Sequence, residues 1–78
     1  MRAKEEKLII TFPTTTAALA MERRARELGT PGRIIPTPTV ITATCGLAWM
    51  APTDAREAVE QMIRENGLLF ERVQVLML

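Results

Sequence analysis

Histidine and tyrosine are absent from this chain, and cysteine occurs once. Without imidazole, neither a Ser-His-Asp nor a Cys-His pair can be assembled, and the commonest neutral metal ligand is missing. No dense carboxylate cluster takes its place, so no metal or other cofactor is expected. A lone thiol cannot close an internal disulfide, which points to reducing cytoplasm as the compartment. Aromatic residues number one Trp and two Phe, too few for a sheet that stacks nucleic-acid bases. Charge of either sign is also scarce in excess: ten Lys and Arg against nine Asp and Glu leave +1, which draws the protein to neither nucleic acid nor anionic lipid. No apolar run approaches the roughly 18 to 20 residues of a membrane span. Leu8 to Ile10, after the charged residues 1–7, is too short for the apolar region of a secretory signal.

What remains is enough for one small domain, 1–78, with residues 1–7 as a charged lead-in. Leu8-Ile9-Ile10-Thr11-Phe12 is β-branched and apolar and stops at Pro13, which cannot donate to a ladder. Thr14-Thr15-Thr16 offers capping hydroxyls, and Ala18, Met21, Ala25 and Leu28 follow at helical spacing up to Gly29. Thr30-Pro31-Gly32 signals a turn, and Arg33-Ile34-Ile35 a short strand halted by Pro36. Gly46 to Ala51 reads as a third strand. Asp54 and Glu57 then stand at capping-box spacing before a stripe of Ala55, Ala58, Val59, Met62 and Ile63, and Asn66-Gly67 supplies the stop. Phe70 to Leu78, with Val73, Val75 and Met77 alternating against Arg72, Gln74 and Leu76, is the last strand.

Strand, helix, strand, strand, helix, strand with right-handed crossovers defines an α+β, ferredoxin-like split βαβ sandwich (βαββαβ). Four antiparallel strands carry two helices on one face. Glu22-Arg23-Arg24-Ala25-Arg26-Glu27 reads as a solvated helix face with a Glu22–Arg26 pair, and Trp49 as a core anchor.

The stretch Pro36 to Gly46, PTPTVITATCG, is the least generic part of the sequence. Two prolines stiffen it, threonines recur, and it closes on Cys45-Gly46. A free cysteine at a strand start is by default a small core hydrophobe. The polar, proline-held loop instead favours a thiol exposed for chemistry, and both readings stand on the residues alone.

The stretches IITFPTTTAALAMERRARELG, RIIPTP, CGLAW and RENG resemble a family of small bacterial proteins described as selenium/sulfur carrier-like. The likeness spans roughly Leu8 to Val75 and is most specific at Pro36-x-Pro38 and Cys45-Gly46. It implies a carrier, not a stand-alone enzyme, whose cysteine holds sulfur or selenium as a persulfide or selenylsulfide. Cysteine desulfurases and other sulfur-transfer proteins are the implied partners. Such a thiol must be reachable and must lack a resolving neighbour, and Cys45 meets the second requirement by being alone. Gly46 is expected to leave room beside the sulfur. Backbone N–H groups of Thr44 to Gly46, and the hydroxyls of Thr39, Thr42 and Thr44, are expected to turn toward it. Pro36 and Pro38 would hold the loop open, and Arg33 is the nearest cation in sequence. Thr39, Trp49 and Met50 occupy places where the family pattern often carries basic residues. The alternative function is an interaction module with an incidental cysteine, its apolar Val75 to Leu78 end suited to homodimerisation.

Overall fold

The computed structural model describes residues 4–78. In chain order it contains β1 (Glu6–Thr11), α1 (Thr15–Leu28), β2 (Arg33–Pro36), β3 (Leu47–Pro52), a 3-10 turn (Thr53–Ala55), α2 (Arg56–Glu65) and β4 (Arg72–Met77). The strands form one antiparallel sheet in the order β2-β3-β1-β4. This is the βαββαβ ferredoxin-like arrangement read from the sequence.

Directly paired residues share a face of the sheet, so the register fixes what the helices cover. Leu8 pairs with Ala51 and Val75, and Ile10 with Trp49 and Val73. Leu8, Ile10, Trp49 and Ala51 join Phe12, the α1 residues Ala18, Met21 and Ala25, and the α2 residues Val59, Met62 and Ile63 in one buried cluster. Burying each large apolar side chain contributes roughly 1.5 to 3 kcal/mol, which is what holds both helices to the sheet. Trp49 is a core anchor as expected, and its Nε1–H donates to the Pro31 carbonyl at 3.3 Å. Gly32 makes that approach feasible: its φ is 125°, and a Cβ there would collide with the indole ring and the Met50 carbonyl.

Element ends differ from the sequence reading in instructive ways. The lead-in is shorter than 1–7, because Glu6 and Lys7 already pair with β4. Thr14 caps α1 by accepting from the Ala17 N–H at 3.0 Å, and Gly29 ends it in the left-handed region at φ 70°. The expected capping box at Asp54 and Glu57 does not form. The chain enters α2 through the 3-10 turn with no side-chain cap, since a tight turn satisfies first-turn groups without one. β2 stops at Pro36 as expected, with the proline itself as its last residue. It is tolerated because β2 is an edge strand, where one N–H row faces away from the sheet.

Candidate functional site

Cys45 is the next-to-last residue of the loop that connects β2 to β3, and the residue is only 6% exposed. The expectation of a solvent-reachable sulfur is therefore corrected: in this conformation Cys45 belongs to the buried cluster that includes Phe12 and Ala17. The chain turns inward here because Thr37, at the end of β2, closes the neck of the loop. Its N–H donates to the Gly46 carbonyl at 2.9 Å and its hydroxyl to the Cys45 carbonyl at 3.0 Å.

Closing that neck swings the sulfur toward the first turn of α1. Sγ accepts from the Leu47 N–H at 3.4 Å and lies 3.7 Å from the Thr15 hydroxyl. The N-terminal end of a helix carries unsatisfied N–H groups and a positive partial charge. The Leu47 N–H is a donor to the sulfur, and the Thr15 hydroxyl can either donate to it or accept from it.

The other expected site residues are distributed differently. Thr44 does not turn to the sulfur. Its hydroxyl donates to Glu71 Oε2 at 2.7 Å and its N–H to Oε1 at 3.4 Å. Gly46 is exposed, and a Cβ there would meet nothing within 4 Å, so glycine is not required to make room. Pro38 begins a turn by accepting from the Ile41 N–H at 3.0 Å. Pro36 pairs with Leu47, two residues beyond Cys45. Arg33 stands three residues from Pro36 along β2, roughly 10 Å by strand rise, and lines a different cavity with Glu22, Arg26 and Trp49. It is not brought to the thiol.

Sequence reasoning missed Thr15, Thr37 and Glu71. Thr15 and Thr37 carried a signal, since each is a hydroxyl next to a recognised boundary. Glu71 carried none, because its partner Thr44 is 27 residues away. Its carboxyl is held below the ordinary glutamate range, first by the Thr44 hydroxyl against a smaller opposing effect of desolvation, and further by the Thr44 N–H, the Thr11 hydroxyl and Arg72. Among the described residues no group of His, Cys, Asp and Glu is arranged to hold a metal. No helix among them is long and apolar enough to cross a membrane.

Residues 7–74 match the family model described as "Putative Se/S carrier protein-like". No curated protein and no solved structure gives a significant match.

Proposed function

Because the chain belongs to the Se/S carrier protein-like family, we propose that it carries sulfur or selenium on Cys45 and passes it to a partner protein. The donor would be a persulfide such as that of a cysteine desulfurase. The Cys45 thiolate attacks the terminal sulfur of the donor persulfide, a new S–S bond forms at Sγ, the donor S–S bond breaks, and the donor leaves as a thiolate holding the electron pair. Onward transfer is the same exchange with Cys45 as the leaving thiolate, so neither step needs an external oxidant or reductant. Selenium would follow the same course as a selenylsulfide.

The observation that carries this reading is the seat of Sγ, with the Leu47 N–H at 3.4 Å, the Thr15 hydroxyl at 3.7 Å and the first turn of α1 beside it. Cys45 is also the sole cysteine, so no intramolecular thiol can discharge a bound persulfide.

Incubation with a cysteine desulfurase and free cysteine is the test, read by intact mass. The expected product is a one-sulfur adduct on the wild type, absent from Cys45→Ser and removed by dithiothreitol. No adduct with several desulfurases would retire the carrier reading.

A second reading draws support from the burial of Cys45 itself: the cysteine is structural, and the protein is a dimerising module. Val75, Met77 and Leu78 on or next to the edge strand β4 are 38%, 55% and 40% exposed. Phe70, Ile63 and Val73 line an open cleft beside it, flanked by Glu60 and Arg64 of α2. The same apolar edge on a second copy is the self-complementary surface that a two-fold dimer uses.

A further inference from the structure

A buried thiol in a carrier must be uncovered before a bulky donor can reach it, and Cys45 directly follows the loop residues 38–44 in the chain. Ile41 bonds back to Pro38 within the loop. Among the described residues, the hydrogen bonds that tie residues 38–44 to another element are the two from Thr44 to Glu71, just before β4. The next residue after Thr44 is Cys45.

We propose that Glu71 is a positioning residue that gates Cys45: its carboxylate clasps Thr44 and keeps the thiol covered, and release of the clasp lets the loop swing out and present the sulfur. This rests on the reading of Cys45 as a working thiol, but the gate itself concerns access and involves no sulfur transfer.

The geometry supports an opening confined to the loop. Both clasp residues are exposed, so water replaces the lost bonds at small cost. Glu71 is meanwhile fixed from behind, with its own N–H donating to the Thr11 carbonyl of β1 at 2.7 Å. Breaking the side-chain bonds therefore frees the loop and not β4. The Thr37 bonds to the Cys45 and Gly46 carbonyls close the neck on the other side and must open with the loop for the sulfur to turn out. Loop openings of this kind occur well below the free energy of global unfolding. The clasp faces an open cavity of about 300 Å³ lined by Thr42, Ala43, Thr44, Glu71 and Arg72, so a docking protein can reach it without disturbing the core.

The test measures the rate at which the native full-length chain reacts with dithiodipyridine, an uncharged disulfide, alongside its urea midpoint. Glu71→Gln weakens the acceptor, Thr44→Val removes the hydroxyl, and Glu65→Gln controls for lost charge. Glu71→Gln and Thr44→Val should each raise the rate about two- to fivefold, the factor that goes with one solvent-exposed hydrogen bond lost from the closed state. The urea midpoint should stay unchanged, the double variant should add little to either single one, and Glu65→Gln should match the wild type. Wild-type rates in both clasp variants would overturn the gate, as would a rise that merely tracks a lower urea midpoint. Faster labelling without persulfide loading would keep the gate and remove the carrier reading, and loading with unaltered labelling would do the reverse.

Discussion

Two adjacent residues, Cys45 and Gly46, have opposite environments despite being read together as a motif. Cys45 is packed among core side chains with two polar neighbours at its sulfur, whereas the position of a Cβ on Gly46 is open space. Cys45→Ser keeps the polar neighbours but replaces an apolar, polarisable atom with a hydroxyl that must be desolvated, and is expected to cost about 1 to 2 kcal/mol. Gly46→Ala is expected to change stability by less than about 0.5 kcal/mol. Urea midpoints at constant m-value check both. An equally silent Cys45→Ser would place the cysteine back on the surface. The sulfur's neighbours were only half legible: the alternation of threonines announced hydroxyls near the loop, but Thr15, from a run read as a helix cap, is the one whose hydroxyl lies beside it.

At the level of elements, the loop between β2 and β3 is defined by what it is tied to. Thr37 binds its neck and Glu71 its far side. The Glu71 carboxyl is held low in the folded protein, chiefly by the Thr44 hydroxyl, and the charged group that adds to this is Arg72. A lowered folded-state value means that the clasp contributes fully above the ordinary glutamate value and is lost as pH falls through the lower folded value. Labelling of Cys45 by dithiodipyridine, divided at each pH by the rate for the urea-unfolded chain, should therefore rise as pH falls below the ordinary glutamate value. Glu71→Gln should be fast and flat across the same range. A flat wild-type profile would show that the carboxylate does not hold the loop. The helix starts illustrate the same division between local and distant causes. Thr14 caps α1 through a bond three residues away, while the approach to α2 is a 3-10 turn without a side-chain cap.

For the whole molecule, the sheet order leaves two edges with unequal protection. β2 is four residues long and ends in Pro36, both of which discourage pairing, whereas β4 is six residues long, contains no proline or lysine, and carries exposed Val75 and Met77. Self-association through β4 is the outcome the dimer reading expects. Sedimentation should then show a concentration-dependent dimer that Val75→Lys converts to monomer. A wild type that stays monomeric at high concentration would retire that reading and leave β4 free for other partners.

The sequence by itself determined the order of elements and most of the core, because periodicity of two and 3.6 residues depends on neighbours a few positions apart. Leu8, Ile10 and Trp49 on the strands and Ala18, Met21, Val59 and Ile63 on the helices all lie in the buried cluster. It also singled out Cys45, by scarcity, and the family to which the chain belongs. Only the tertiary structure decided the state of that cysteine. Whether a residue at a loop's end points outward or inward depends on bonds made across long separations, from Thr15, 30 residues before it, and from Glu71, 27 residues after Thr44. Such bonds leave no periodic trace in a chain, since either partner alone is an ordinary polar residue until the fold sets them side by side.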